Sequence, residues 1–440
     1  MVLVMTEFSS EQQLPALREL QEKKFQGLIR EVIGHQNGFY LKKWQDADVP
    51  LDGVRGISDI DKLPFTTKFE IVNDQKRHPP YGTNLTYPLT AYVRMHQTSG
   101  TTGQPLRWLD TATSWSWLLH CWGLIYDAVD LRSEDRIFLP FSFGPFIGFW
   151  GAFEGALARD NFCLSGGGMS SRIRLQCIAE HKMTVVACTP TYAMRLVEVA
   201  KEQGVNLRNS AVRALIVAGE PGGNVPSTRK QLESEWGARV FDHTGMTEIG
   251  ASGVECTAAP GGVHLLESEF VVEVINPDTG QGVQSGEMGE LVVTNLGRWG
   301  SPLIRYRTGD LVMTRRFSCD CGRDWLWMEG GILGRVDDML LIRGNNVYPS
   351  AVEEVIRRDG GVAEYRVEVV KQGVLPQIRI LVEPFSDFTE TDQLGFWAEK
   401  IGRSIQDALS FRPEVQVVPR GSLPRFELKA DRWIRQNQTK

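Results

Sequence analysis

Missing from the 440 residues is any run near the roughly 20 apolar residues that a helical membrane span needs, so no span is expected. A positive excess is missing too. The net charge is −6 and the pI about 5.8, which excludes the broad positive field that gathers nucleic-acid phosphates. The apolar start Met1-Val2-Leu3-Val4-Met5 is cut short by Glu7 and a polar run, which excludes a secretory h-region and predicts a cytoplasmic protein. Cysteine is sparse and odd in number, at seven, and Cys121, Cys163, Cys177 and Cys188 each stand alone in apolar surroundings, as reduced core thiols do. No internal repeat or low-complexity tract is present, and no Gly-Lys-Ser/Thr follows a glycine-rich loop in the manner of a P-loop.

What remains has globular composition, 42% hydrophobic and 23% charged. At this length one core rarely suffices, so two or more domains are expected. Leu17, Leu20, Phe25, Leu28, Ile29 and Val32 recur at helical spacing and predict an amphipathic helix over 11–34. From about 114 to 240, strand-length apolar runs (136–139, 184–187, 214–217) alternate with amphipathic stretches, the pattern of βα units on a largely parallel sheet. Ligands on such sheets sit at the carboxyl ends of strands, and Gly219-Glu220-Pro221 follows one. Between about 262 and 330, short β-rich runs broken by Asn-Pro-Asp and glycine turns predict an antiparallel or barrel-like subdomain. Beyond Gly334-Arg335-Val336-Asp337-Asp338, a strand, a helix at 351–358, two strands and a helix at 391–410 predict a small α+β unit. The fold class is therefore α/β: a large N-terminal domain (1–335) of α/β subdomains plus a β-rich, barrel-like subdomain, then a small α+β domain (336–440), for which the resemblance drawn below implies mobility.

In Thr98-Ser99-Gly100-Thr101-Thr102-Gly103, glycines allow backbone amides to approach an anion and hydroxyls can donate to phosphate oxygens. Alone, the segment fits an ordinary polar turn equally well. Four further segments follow in order: Ala218-Gly219-Glu220-Pro221, Asp242-His243-Thr244-Gly245-Met246-Thr247-Glu248, Arg305-Tyr306-Arg307-Thr308-Gly309-Asp310, and Leu423-Pro424-Arg425-Phe426-Glu427-Leu428-Lys429-Ala430. Together they resemble the phenylacetate–CoA ligase family of the adenylate-forming superfamily over nearly the whole chain.

The resemblance implies an ATP-dependent, AMP-forming acid–CoA ligase. Two anions must meet when a carboxylate attacks the α-phosphorus, so the site needs cations and aimed donors. By resemblance, Lys429 is the cation bridging acid and α-phosphate, and Glu248 helps to hold Mg²⁺ through a hard oxygen ligand. The loop 98–103 grips the departing phosphates. Asp310 and Arg335 contact the ribose, while Gly219, Glu220 and Pro221 line the adenine, together with the Asp242–Thr247 segment. There the sequence departs from the family, with His243-Thr244 where an aromatic residue commonly stacks on adenine. Asp337 is the hinge between the adenylating and thioester-forming states, and Gly344 lets the backbone approach the pantetheine of coenzyme A.

Two further readings concern substrate and metal. The resemblance implies an acid site in the segment after strand 136–140, at Phe141, Phe143 and Phe146, with Gly245 also assigned to it. Loss of the family's tyrosine hydroxyls there, and added bulk at Phe149 and Trp150, predict a compact apolar or aromatic acid, benzoate- or phenylacetate-like; Phe149 and Trp150 read equally well as core. The run Gly166-Gly167-Gly168 reads as a strand-to-helix turn. Cys319-x-Cys321 with Cys256 and His264 fits a closed, four-ligand structural Zn²⁺ site, and free thiols are the alternative. Two other readings of the activity stay open: transfer of the acyl group to a carrier-protein pantetheine, and use of a short branched hydroxy acid. So does a homodimer.

Overall fold

The computed structural model describes residues 10–98, 105–141, 143–145, 147–148, 150–338, 340–342, 345–358, 361–372, 375–385, 391–426 and 430–435. Its contacts gather into two compact units, 1–167 with 241–331, and 168–240 with 332–440.

In the first unit the predicted amphipathic helix runs from Ser10 to Gly34. Phe25, Leu28, Ile29 and Val32 form its buried stripe, packed with Tyr40, Trp44, Val271, Leu296 and Ile304. The apolar spacing thus docks the N-terminal helix onto the β-rich segment. Strands Tyr92–Gln97 and Arg107–Thr111 form an antiparallel pair. Strand Arg136–Leu139 pairs in parallel with Phe162–Ser165 across helix Trp150–Leu157, a βα unit as the alternation predicts. An antiparallel ladder follows in the order Phe270–Ile275, Met288–Asn295, Tyr306–Arg315, Trp327–Glu329, Gly262–Leu265, Gly250–Val254 and the end of Arg239–Met246.

In the second unit, Val185–Cys188 pairs in parallel with Ala214–Val217, flanked by helices Ser171–Glu180, Pro190–Glu202 and Pro226–Trp236. Both strands are buried along their whole length, which is why they read as unbroken apolar runs. The C-terminal part has helix Pro349–Arg357, helix Thr391–Leu409 and a sheet whose centre is the long antiparallel pair Val362–Gln372 and Leu375–Pro384. The strands at its edges, Glu414–Val417 and Trp433–Arg435, join in parallel and escape a sequence reading because they are only four and three residues long.

This C-terminal part is tied to 168–240 by charged bonds. Glu354 Oε2 accepts from Ser227 N at 2.9 Å; Arg425 reaches Glu198 at 3.0 Å and Glu383 at 2.7 Å; buried Arg432 forks onto Glu364 and donates to Thr191 Oγ1. No helix among the described residues is long and apolar enough to cross a membrane.

Candidate functional site

Of the anticipated site residues, Ser99, Gly100, Thr101, Thr102, Gly103, Phe146, Gly344 and Lys429 lie outside the described residues, as does Phe149. The stem of the phosphate loop is described. Thr98 N donates to Leu106 O at 2.9 Å, and Leu106 N donates back to Thr98 Oγ1 at 3.0 Å, which closes the mouth of the hairpin. Gln97 N donates to Pro145 O at 2.7 Å, which places the aromatic segment against the same mouth.

Phe141 and Phe143 are half-buried in that segment. The Phe143 ring stands edge-on to Trp150 at 4.7 Å and to Phe153 at 5.5 Å. Trp150 leans on the buried group Trp115, Leu118 and Ile147, and its indole N–H donates to Gly144 O at 3.0 Å. It shapes the wall through packing. Gly166 is small because it must be: a Cβ there would come within 2.9 Å of the Phe138 ring and of Pro140 Cα, and its N–H is bonded to Leu139 O. The glycine run is thus a turn under the strand, as the sequence suggests.

The segment from Asp242 to Glu248 forms one arm and the tip of a hairpin with Gly250–Val254. Gly245 is pressed on its partner strand, where an added Cβ would stand 2.6 Å from Gly250 O. Thr244 and Thr247 are half-buried and Asp242 N–H donates to Glu255 Oε2. His243 is buried against Trp122, with ring centroids 4.6 Å apart, and its Nδ1 lies 2.7 Å from Gly253 O. A carbonyl only accepts, so Nδ1 carries the proton. Burial pushes the imidazole down to about 4, against the opposing pull of that carbonyl.

A stability prediction follows from this neutral histidine. Between about pH 6.5 and 4 the unfolded chain takes up a proton that the folded chain refuses, so His243 costs stability as pH falls through that window. The limit is about 3 kcal/mol, at 1.36 kcal/mol per pKa unit. Thermal midpoints between pH 7 and 4.5 are expected to fall more steeply for the parent than for His243→Gln; parallel slopes would contradict this.

Glu248 is buried, and its carboxylate meets the ammonium of Lys68 at 3.1 Å. Lys68 opens helix Lys68–Arg77, where Thr67 and Glu70 form a reciprocal capping box. From the same helix, Gln75 exchanges two hydrogen bonds with the backbone of Arg107 on the phosphate hairpin. Just before it, Thr66 N donates to Arg305 O and Arg307 N donates to Thr66 O, so the chain lies along the strand leading to Asp310. The helix and the residue just before its cap therefore touch two of the segments singled out from sequence, 242–248 and 305–310, and the hairpin strand that follows a third. Asp310 is buried, and its N–H donates to Thr308 Oγ1, which itself donates to Leu291 O. The Thr67-x-x-Glu70 signature marks the start of this helix in the sequence; the 180-residue jump from Lys68 to Glu248 is what hides the ion pair.

The second unit holds Gly219, Glu220, Pro221, Arg335 and Asp337. Gly219, with φ of +93°, and Pro221 are exposed at the end of strand Ala214–Val217. The Glu220 carboxylate accepts Thr191 N–H at 2.9 Å and Ala430 N–H at 2.7 Å. Burial pushes its carboxyl up, opposed by Arg432 and these donors. Ala430 adjoins Lys429 in the sequence, so Glu220 anchors the end of the lysine segment while the backbone of 219–221 stays open. Arg335 Nε donates to Asp337 Oδ1 at 2.9 Å across the exposed hinge candidate.

The described residues contain one cluster of metal-ligating groups, Cys256, His264, Cys319 and Cys321. His264 projects from strand Gly262–Leu265; Cys256 follows Gly250–Val254; the two other cysteines sit in the loop after Tyr306–Arg315, closed by Gly322 N–H on Cys319 O. All four ligand atoms lie within 4.8 Å of one another. The Cys256 and Cys319 sulfurs are 3.7 Å apart, as are Cys321 Sγ and His264 Nε2. A tetrahedron built on Zn–S of about 2.3 Å and Zn–N of about 2.0–2.1 Å has edges of roughly 3.5–3.8 Å, which those two 3.7 Å separations match, so the donor set suits zinc. Hydrogen bonding from Cys256, against the effect of burial, holds the Cys321 thiol well below its ordinary value, toward the thiolate that a metal needs.

Residues 53–297 match the AMP-binding enzyme family, and 344–436 match the AMP-binding enzyme C-terminal domain. The phenylacetate–coenzyme A ligase of Thermus thermophilus is 33% identical over 429 residues, spanning 93% of this chain and 94% of that protein. This chain belongs to the phenylacetate–CoA ligase family. A second family member, the phenylacetate–coenzyme A ligase of Escherichia coli, is 32% identical, with 89% of each chain covered. Among solved structures, 2-hydroxyisobutyryl-CoA ligase with its acyl-AMP in the postadenylation state is 27% identical, with a TM-score of 0.90 over 98% of this chain and 90% of that one. The same ligase with acyl-AMP and CoA in the thioesterification state gives a TM-score of 0.71 over 98% and 91%.

Proposed function

We infer that the chain is an AMP-forming acid–CoA ligase that activates a small, aromatic carboxylic acid. The observation that carries this reading is the joining, through helix Lys68–Arg77 and Thr66 just before it, of Glu248, the 305–307 backbone and the hairpin strand that follows the loop 98–103, within a chain whose relatives are phenylacetate–CoA ligases along almost their entire length. In the first half-reaction an acid oxygen attacks the α-phosphorus of ATP, forming the acyl-adenylate and releasing pyrophosphate. In the second, the thiol of CoA attacks the acyl carbon, its proton departs and AMP leaves with the bonding pair.

Each residue has a role in this scheme. Lys429 neutralises the two anions that meet in the first step, and the loop 98–103 holds the departing phosphates. Asp310 and Arg335 are assigned to the ribose diol, and the 219–221 backbone and the 242–247 hairpin arm to the base. With His243 turned into Trp122, the adenine face is bordered by Thr244 and the backbone. Glu248 would hold Mg²⁺, which supplies charge neutralisation at the triphosphate; Lys68 puts a second cation beside that carboxylate. A domain from about 336 onward turns about Asp337 between the half-reactions, bringing Gly344 to the pantetheine. Zn²⁺ at Cys256, His264, Cys319 and Cys321 would tie three strands of the β-rich segment and take no part in the chemistry.

Phe141, Phe143 and the Trp150 wall favour a flat apolar acid over a polar one. The likeness to 2-hydroxyisobutyryl-CoA ligase keeps a short branched hydroxy acid as a second reading. Supplying ATP, Mg²⁺, CoA and a panel of aryl and short branched acids should yield AMP and an acyl-CoA, with highest kcat/KM for an aryl acid. Preference for a branched hydroxy acid selects the second reading. Retained adenylate that loads only a carrier protein would overturn the CoA assignment.

A further inference from the structure

The buried pair Arg298 and Asp110 lies outside the five segments singled out from sequence, yet joins one of them, 242–248, to the hairpin strand that follows another. Arg298 is fully buried, and four hydrogen bonds engage its guanidinium. Nε and Nη2 donate to the two Asp110 oxygens at 2.7 Å each; Nη1 donates to the carbonyls of Thr247 and Glu248 at 2.8 Å each. Asp110 stands on strand Arg107–Thr111, which follows the loop 98–103 in the chain and pairs with Tyr92–Gln97 before it. Beside it, His96 lies on the outgoing strand, two residues before Thr98, with Nδ1 3.8 Å from Asp110 Oδ2 and its ring stacked on Trp115 at 5.2 Å. Burial alone would raise the Asp110 carboxyl, but Arg298, with His96, holds it below the usual carboxylate range.

We propose that Arg298 and Asp110 are positioning residues for adenylation, clamping the backbone that carries Glu248 to the stem of the phosphate loop. A buried ion pair by itself is weak evidence for stability, because apolar groups of the same volume often serve as well. This pair does something apolar groups cannot. Two successive carbonyls converge on one guanidinium nitrogen, which fixes the turn from which Glu248 projects, and the same fork fixes the hairpin. Lysine keeps the charge and loses the planar fork, so it cannot satisfy a bidentate carboxylate and two carbonyls together. The neighbouring Gly297 keeps this approach open: a Cβ there would stand 2.1 Å from the Trp117 ring. Arg298 and Asp110 themselves touch no substrate.

The inference rests on the reading of Glu248 as the metal-holding acid, and the experiment separates the two. The Mg²⁺ dependence of acid-dependent ATP–pyrophosphate exchange is measured for the parent, Glu248→Gln, Arg298→Lys and the double variant Arg298→Met/Asp110→Leu, which leaves no unpaired buried ion. Thioester formation from supplied acyl-adenylate, which needs neither triphosphate nor metal, reports the folded fraction. Displacing groups that orient a metal ligand costs about 10–100-fold in affinity or activity. Arg298→Lys and the double variant should therefore raise the Mg²⁺ requirement and slow exchange by about 10–100-fold, with thioester formation from the adenylate within roughly twofold of the parent. Equal loss of both half-reactions, or an unchanged Mg²⁺ requirement while Glu248→Gln raises it, would overturn the inference and leave the Glu248 reading intact. An unchanged requirement in Glu248→Gln overturns both.

Discussion

Lys429→Ala should remove acid-dependent ATP–pyrophosphate exchange by a factor of at least about 10²–10³, the loss seen when one aimed donor is taken from a developing anion. Thioester formation from supplied acyl-adenylate should remain within a few fold of the parent. The asymmetry follows from the charges. In the first half-reaction a carboxylate approaches an α-phosphate, so two anions must be brought together and a cation between them acts mainly in the transition state. In the second, a thiol attacks a mixed anhydride and no such encounter occurs. The described residues on either side of the lysine are anchored. Ala430 N–H is held by Glu220 Oε2 at 2.7 Å, and Arg425 and Arg432 are bound to Glu198, Glu383, Glu364 and Thr191 on either side of it. Stopped-flow or quench measurement of each half-reaction decides the matter. Equal damage to both would assign Lys429 some other role.

Loss of zinc should be the second large effect, and it should appear in stability before it appears in rate. The protein as purified is expected to carry one zinc per chain by elemental analysis, and the Cys319→Ser variant to carry none. With free metal a thousandfold above its Kd, linkage stabilises the bound fold by about 4.1 kcal/mol. For a domain of roughly this size that is about 8–16 °C in Tm, at 2–4 °C per kcal/mol. Chelation should lower the midpoint by this amount while kcat at low temperature changes little, since the ligands tie Gly250–Val254, Gly262–Leu265 and the loop after Tyr306–Arg315 rather than any substrate group. Metal-free protein with an unshifted midpoint would select the free-thiol alternative.

Much of the architecture is legible in the sequence because it is local. Phe25, Leu28, Ile29 and Val32 announce a docked helix by spacing alone, and Val185–Cys188 and Ala214–Val217 announce a parallel pair by being apolar throughout. The metal cluster is legible for a different reason: cysteine and histidine are rare here, so four of them in one subdomain draw notice even though 63 residues separate Cys256 from Cys319. What stays hidden are partnerships between common residue types far apart in the chain. Nothing about Arg298 suggests Asp110, 188 residues away, and nothing about Lys68 suggests Glu248. Glu220 illustrates the same limit from the other side. Its position after a strand marks it, whereas the engagement of its carboxylate with Thr191 and Ala430 depends on a fold spanning 210 residues.

The central claim, that an acyl-adenylate is made before CoA takes part, is tested most directly by exchange of labelled pyrophosphate into ATP without CoA. An aryl acid should switch that exchange on, Mg²⁺ should be required, and later addition of CoA should release AMP and acyl-CoA in equal amounts. Release of ADP and phosphate, or exchange that ignores every acid offered, would contradict the account.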